Sequence, residues 1–211
     1  MIRRFADIFT AVVALTLLSP LFVLISLAIM LGSPGNPFYG AWRIGKDGTR
    51  FRMWKFRTMV RGAERLGGCI TAPCDPRITT LGRFLRATKI DELPQFFNLL
   101  LGDVTLVGPR PEDPNIVEIY TPEQRQTLKG KPGITGPAQL YYTTDQAHRI
   151  PDKVKAEQFY IDHLLSDKLR IDLEYLKKRT ALTDCRIVLQ TIALIVKVLA
   201  NSVRSGGRAS T

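Results

Sequence analysis

The run from Ile8 to Leu31 carries no charged residue and is dominated by Leu, Val, Ile, Phe and Ala. A helix needs about 20 apolar residues to cross a bilayer, so a segment of this length must meet lipid. It exceeds the roughly 7–15 apolar residues of a signal peptide, and no small-residue cleavage site follows it. Ser19-Pro20 falls at its middle. Proline removes one helix hydrogen bond and clashes with the carbonyl four residues back, which bends a helix. Ser19 can satisfy a carbonyl freed in this way. Arg3 and Arg4 precede the run, and Arg43, Lys46, Arg50, Arg52, Lys55, Arg57 and Arg61 follow it. Lys and Arg next to membrane segments favour the cytoplasmic side. With basic residues on both flanks, a re-entrant hairpin bent at Ser19-Pro20 is expected in preference to a plain spanning helix.

The remainder of the 211 residues suffices for one globular domain with its own core. Thirty Lys plus Arg against 19 Asp plus Glu give a formal charge of +11. Such a balance implies an anionic partner: nucleic acid, anionic lipid or a phosphorylated substrate. No nucleic-acid motif is present, and aromatic residues do not interleave with the basic clusters as stacking platforms would. Nucleic acid is therefore not expected. Cys69, Cys74 and Cys185 are an odd set without framework spacing, which fits reduced thiols in a cytosol-facing domain. Cys69 and Cys74 lack a second Cys/His pair for a zinc site. His148 and His163 sit in no motif and are expected at the surface.

The breaker cluster Gly32–Pro37 ends the membrane segment. Alternation over Phe51–Met59 predicts a strand, with Phe51, Met53, Lys55, Arg57 and Met59 on one face. Gly62–Pro76 reads as a short helix and loop. Thr80–Ala87 reads as a short basic helix, and Ile90–Leu101 as a helix with Pro94 in its first turn and Gly102-Asp103 as its stop. A strand is expected at Val104–Val107. Gly108–Pro111 and Lys131–Pro137 are stiff loops. Thr121–Leu128 reads as a capped helix, Lys153–Lys178 as mostly helical, and Asp184–Ala200 as a last, apolar helix in the core or the membrane interface. The Ser/Gly/Arg-rich tail 201–211 is expected to be flexible. These elements make an α+β, mostly helical fold: a re-entrant membrane helix (1–34), a small cytosolic catalytic domain with short strands and interfacial amphipathic helices (35–200), and the tail.

Asp91 and Glu92 are adjacent, with Arg83, Arg86 and Lys89 just upstream. An acidic pair can simply complement a helix dipole. Here the cations can lower carboxylate pKa values and attract phosphate, and a helix start offers free N–H groups to an anion. Lys55 and Arg57 form either a solvated basic face or a phosphate clamp, Arg binding oxyanions with a planar fork and Lys as a point charge.

Lys55-Phe-Arg-Thr-Met59, Asp91-Glu-Leu-Pro-Gln95, Gly102-Asp103, Val107-Gly-Pro-Arg-Pro111 and Pro132-Gly-Ile-Thr-Gly136 occur in this order. Together they resemble the bacterial sugar transferases, the monotopic phosphoglycosyl transferases that prime cell-surface glycan assembly. The likeness covers nearly the whole chain, from Arg4 to Ile187, and the length resembles the minimal catalytic form. It implies transfer of a sugar 1-phosphate from a UDP-sugar to polyprenyl (undecaprenyl) phosphate, with release of UMP. By the same resemblance Asp91 is the nucleophile of a covalent phospho-sugar intermediate, and Glu92, with Asp91, supports Mg²⁺ or Mn²⁺. The segment broken at Ser19-Pro20 matches the re-entrant helix of a monotopic protein on the cytoplasmic face of the bacterial inner membrane.

Lys55, Arg57, Arg86 and Arg110 are the cations available to shield a diphosphate from an anionic nucleophile. The prolines around Arg110 lower the cost of holding it in place, and Glu112 nearby is a further candidate. Gly133 and Gly136 either let backbone approach the nucleotide or serve turns. One stretch departs from the family. Where relatives carry a Trp-Ala-Gln-Val-Asn-Gly-Arg type of run, this chain reads Pro137-Ala-Gln-Leu-Tyr-Tyr-Thr-Thr-Asp145, without the Arg. The sequence names neither the sugar nor an oligomeric state.

Overall fold

The computed structural model describes residues 2–63, 75–145 and 156–206. The expectations for Cys69, Cys74, His148, most of Gly62–Pro76 and the last five residues of the tail lie outside them, whereas residues 201–206, expected to be flexible, continue the last helix, which ends at Gly206. The chain opens with α1 (Ile2–Gly32), which contains Pro20. It is the one helix among the described residues long and apolar enough to cross a membrane. Pro20 has no N–H to give the carbonyl of Thr16, and the Ser19 hydroxyl donates to that oxygen at 2.8 Å. The expected polar support of the proline is thus present. Asp7, Ala11, Phe22, Ile25 and Ile29 are buried, with Leu15, Leu18 and Leu21 half-buried. Spacings of three and four put one stripe of α1 against the domain.

A hairpin follows. β1 (Phe38–Ile44) pairs antiparallel with β2 (Arg50–Phe56), Tyr39 opposite Lys55 and Ala41 opposite Met53. The predicted strand therefore ends earlier than expected, and β1 had no clear sequence signal. Past β2, Arg57 N–H donates to Pro37 O at 2.7 Å, and Met59 bridges Ile78. Helix α2 (Thr80–Ala87) has the expected bounds. Its N-cap Thr79 accepts from Gly82 N, the ordinary use of a hydroxyl for an orphan helix donor.

The next segment differs from expectation. Ile90–Glu92 is a 3-10 turn, and the α-helix proper, α3, starts only at Gln95 and runs to Leu101. Pro94 cannot donate to Ile90 O, so that oxygen accepts from Leu93 N at 3.1 Å and the turn tightens. Asp91 and Glu92 therefore do not sit in the first turn of an α-helix, and the dipole-based anion site expected there does not apply. Gly102, at φ 90°, closes α3 in the left-handed conformation. Asn98, fully buried, joins α3 to the hairpin. Its amide nitrogen donates to Arg52 O at 2.7 Å and to Asp103 Oδ2 at 2.8 Å, while its oxygen accepts from Trp54 N at 2.9 Å.

β3 (Thr105–Val107) pairs in parallel with β4 (Gly133–Thr135), a strand inside what reads as a loop. Between them lie α4 (Pro114–Glu118) and a 3-10 segment, Gln124–Lys129, where a helix over Thr121–Leu128 was expected. Thr121 caps it as expected: Thr121 Oγ1 accepts from Gln124 N (3.2 Å), and Gln124 Oε1 accepts from Thr121 N (2.9 Å). The chain then forms α5 (Pro137–Asp145), α6 (Ala156–Phe159), a π-turn at Tyr160–Leu165, α7 (Ser166–Lys178) and α8 (Ala181–Gly206).

Among the described residues, four small apolar clusters take the place of a single layered core. Ala11, Phe51, Met53, Leu99 and Val104 meet under the first half of α1, and Phe22, Ile25, Ile29, Phe56 and Leu85 meet under the second half. Ile44, Ile116, Val117, Tyr120, Leu165 and Leu169 form a third, and Val107, Tyr175 and Ile187 a fourth. The membrane-type helix is therefore part of the core of the domain.

Candidate active site

Where β2, the 3-10 turn and the 108–111 loop converge, an open groove of about 1510 Å³ crosses the surface. Lys55, Arg57, Arg86, Arg110, Asp91 and Glu92 all line it, as does Lys89. The six principal candidates thus come together from four separate stretches of chain. Lys89 sits at φ 61°, in the left-handed region where non-Gly residues are uncommon, and this bend turns the chain into Asp91.

Glu92 is the hub. Its Oε1 accepts from Lys55 Nζ and from Arg110 Nη2, each at 2.9 Å. Burial raises the cost of its charge, but Arg110, Lys55 and Lys89 outweigh this and hold its pKa well below the usual carboxylate range. Asp91, 6% exposed, shifts the other way. Burial pushes its pKa up, and the adjacent Glu92 adds to this against the pull of Lys55, Lys89 and Arg86. Two neighbouring carboxylates are thereby separated in chemistry: Glu92 is a fixed anion holding two cations, and Asp91 is the more basic of the two. Burial also lowers the Lys55 pKa, with Glu92 opposing. Arg86 Nε donates to Thr58 Oγ1 at 2.8 Å, which fixes its guanidinium on the groove wall.

Arg57 is placed differently from a free phosphate ligand. Its guanidinium donates to the carbonyls of Ser33 and Pro34, just past α1, while its buried Nε has no partner among the described residues. It lines the groove and ties the end of α1 to it.

Arg110 is held by the parallel strand pair. Gly108 N donates to Thr135 O at 2.9 Å, and Gly133 N donates to Pro109 O at 2.8 Å. The Gln139 amide, oriented by its neighbours, accepts from Arg110 Nη1 at 2.8 Å and donates to Ile134 O at 3.1 Å. Gly133 and Gly136 are neither groove-lining nor in the left-handed region. A Cβ on Gly133 would stand 2.1 Å from Gly108 N, and one on Gly136 would stand 2.2 Å from Gly108 O. They admit backbone, but it is the backbone of the Arg110 loop. Gln139 and the strand β4 escaped sequence reasoning, although Gln139 lies in the stretch aligned with the family's Ala-Gln run.

Glu112 points away from the groove. Tyr160 Oη donates to it at 2.5 Å, and Lys168 Nζ also donates to it. Next to Lys168, burial pushes the Asp172 carboxyl up to about 7. These groups brace the far side of the 108–112 loop. Arg110 and Glu112, two positions apart, thus face different surroundings: Arg110 bonds Glu92 in the groove, and Glu112 bonds Tyr160 and Lys168.

Two carboxylates from one turn suit a hard cation that keeps waters and substrate phosphate oxygens as further ligands. Both cations bond the same oxygen of Glu92, and no protein bond to Oε2 occurs among the described residues. Asp91 and Glu92 therefore fit such an ion only in company with a phosphate. Among the described residues there is no cluster of three His, Cys, Asp or Glu that could hold a metal alone.

The bacterial sugar transferase profile matches residues 1–198. The chain belongs to that family. Of its relatives, the UDP-N-acetylgalactosamine-undecaprenyl-phosphate N-acetylgalactosaminephosphotransferase of Aeromonas hydrophila is 36% identical over 200 residues, covering 92% of this chain and 44% of the relative. The UDP-glucose:undecaprenyl-phosphate glucose-1-phosphate transferase of Escherichia coli K12 is 35% identical, covering 91% and 39%. The exopolysaccharide production protein ExoY of Sinorhizobium fredii is 30% identical, covering 92% and 84%. This family member spans less than half the length of the first two relatives.

Proposed function

We propose that this chain transfers a sugar 1-phosphate from a UDP-sugar to polyprenyl phosphate, releasing UMP, as the first step of surface glycan assembly. The observation that carries this reading is the pairing of a buried, more basic Asp91 with a cation-holding Glu92 in one groove walled by Lys55, Arg86, Lys89 and Arg110. The names of the relatives supply the two substrate classes.

In this mechanism an Asp91 carboxylate oxygen attacks the phosphorus that bears the sugar. The P–O bond to UMP breaks, and UMP leaves with the electron pair. The resulting acyl phosphate is a mixed anhydride and keeps enough transfer potential for the second step. There an oxygen of polyprenyl phosphate attacks the same phosphorus, and the Asp91 carboxylate departs. Lys55, Arg86 and Arg110 offset the charge that gathers on the phosphoryl oxygens. Mg²⁺ or Mn²⁺, held by Asp91, Glu92 and the donor diphosphate, would add Lewis-acid stabilisation of that charge. Release of UMP from a panel of UDP-sugars, with polyprenyl phosphate present, tests the reading; no release from any of them would refute it. Excess chelator is expected to stop turnover and added Mg²⁺ to restore it, whereas full activity in chelator would remove the metal from the scheme.

The reading includes placement on one face of the bacterial inner membrane, the cytoplasmic one. Its support is that α1 packs on a single domain from Asp7 to Ile29, about 33 Å of helix at 1.5 Å per residue. A domain lying along that whole length argues for both ends of the helix staying on one side of the bilayer. The opposite face of α1 exposes Phe9, Val13, Leu17, Leu24 and Leu31, and α8 exposes Leu182, Leu189, Ile192, Val196 and Leu199 along one stripe. The latter suits a helix lying in the interface. Pro20→Ala restores a helix hydrogen bond worth about 3 kcal/mol with the clash it removes. It is expected to shift part of the population to a spanning topology, and more so together with Ser19→Ala. A cysteine at position 2, labelled from outside intact cells, reports the shift. Equal outside labelling of the unaltered helix and the double variant would show a plain spanning segment.

A further inference from the structure

The N-terminal turns of α1 are polar on the side that meets the domain. Asp7 is 5% exposed. Its Oδ1 accepts from Leu106 N at 2.9 Å, and its Oδ2 accepts from the Thr105 hydroxyl at 2.9 Å. An acidic residue near a helix start can serve its own helix dipole, but the partners of Asp7 belong to β3, about a hundred residues away. One turn earlier, Arg4 Nη1 and Nη2 donate to Leu99 O and Leu100 O, each at 2.7 Å. These are carbonyls of the last turn of α3, which have no partner within their own helix. Gly102 leaves room for the guanidinium, since a Cβ there would meet it at 3.1 Å. Ala11, fully buried, completes the contact between Phe51, Met53, Leu99 and Val104.

α3 spans only about two turns, with Arg4 at its C-terminal end and the Asp91-Glu92 turn directly before its N-terminal end. Whatever fixes its C-terminal end to the lipid-facing helix also fixes the reacting turn relative to lipid. Opening this contact would leave a carboxylate and a backbone N–H without partners at the edge of an apolar helix, which is costly for both groups.

We propose that Arg4 and Asp7 are positioning residues: they dock the first turns of α1 onto the α3–β3 junction and so set the height of the Asp91-Glu92 turn above the bilayer. The proposal rests on the transferase reading given above. It predicts a selective defect. A water-soluble donor reaches the groove whatever its height, whereas a phosphate on a membrane-bound chain reaches it only at the right one.

The test uses the full chain in lipid nanodiscs containing polyprenyl phosphate, with the UDP-sugar that supports UMP release. Asp7→Ala is expected to lower kcat/KM for polyprenyl phosphate by about tenfold, equivalent to about 1.4 kcal/mol, with the KM for the UDP-sugar unchanged. Unchanged kinetics toward both substrates would overturn the proposal. So would parallel losses toward donor and acceptor together with a lowered melting temperature, which would mark Asp7 as merely structural. A second variant separates docking from folding. In a background with the three native cysteines replaced by serine, Asp7→Cys and Thr105→Cys are expected to form a disulfide under mild oxidation, because these side chains already touch. The oxidised protein is expected to recover acceptor efficiency, and the reduced protein to resemble Asp7→Ala. Failure of the pair to link, or a linked protein as impaired as the reduced one, would overturn the docking. Disulfide formation needs no turnover, so it remains informative if no UDP-sugar proves to be a donor.

Discussion

Asp91→Asn is expected to reduce turnover by about 10⁴-fold or more, the scale seen when a nucleophile that acts as part of a unit is removed. The amide has the size of the carboxylate but cannot form the acyl phosphate. The same change is expected to leave the fold at least as stable. Burial raises the Asp91 pKa, so the folded protein binds this proton more tightly than the unfolded chain. The native carboxylate therefore costs stability as pH rises above its ordinary value, and an amide removes that cost. In the unaltered protein the same shift is expected to make turnover fall as pH drops through the raised pKa, because a protonated acid would not act as the proposed nucleophile. UMP release and thermal unfolding, measured on one preparation, test both halves. Near-normal UMP release by Asp91→Asn would exclude the covalent route. A lowered melting temperature would instead mean that the carboxylate holds the turn together.

Gly133→Ala is expected to act far from the carboxylates and still damage the site. The added Cβ would lie 2.1 Å from Gly108 N, 2.5 Å from Thr135 O and 2.7 Å from Gly108 Cα. All three are backbone atoms, so no side chain can rotate away. Either the β3–β4 pair separates or the loop carrying Arg110 moves. Overpacking of this kind costs about 3 kcal/mol, which for a domain of this size lowers the melting temperature by about 6–12 °C. Movement of Arg110 would also release one of the two cations on Glu92, so the KM for the UDP-sugar should rise in whatever protein remains folded. Gly48→Ala is a useful contrast: nothing lies within 4 Å of its added Cβ, and the only strain is its φ of 79°. A Gly133→Ala protein with unchanged melting temperature and KM would show that the strand pair does not set the position of Arg110.

Some of this architecture is local and was legible in the chain. Helix α2 has a hydroxyl cap at Thr79 and a short basic pattern, and its bounds follow from those few residues. The Thr121/Gln124 cap is likewise written within four positions. The apolar run of α1 needs only its length and composition, and Ser19-Pro20 carries its own compensation one turn back at Thr16. The site motifs could be ordered along the sequence, and with them the family and the two carboxylates. Other features depend on partners far away in sequence. The strand expected at Val104–Val107 is β3, but β1 and β4 draw their stability from pairing, so their own residues give little signal. Pro94 was compatible with a helix start, and only the geometry around Ile90 and Leu93 makes that start a 3-10 turn.

Asp91 and Glu92 are identical in kind as letters: two adjacent acids beside cations. Tertiary packing brings Lys55 from β2 and Arg110 from the 108–111 loop onto one oxygen of Glu92, while Asp91 is left buried with less compensation. Their opposite pKa shifts arise there. Arg110 and Glu112 are two positions apart and both were candidates, Glu112 the weaker; one faces the groove and the other the Tyr160–Lys168 pair. A lipid-seeking helix, an anion-seeking domain and an acidic pair suited to phosphoryl chemistry could be read from the residues, because apolar length, net charge and residue type are properties of the chain alone. Which carboxylate is held as a fixed anion, which arginine faces the groove, and that Asp7 belongs to β3 rather than to the start of its own helix came from the folded contacts. Burial and charge pairing depend on distances that close only when the chain folds.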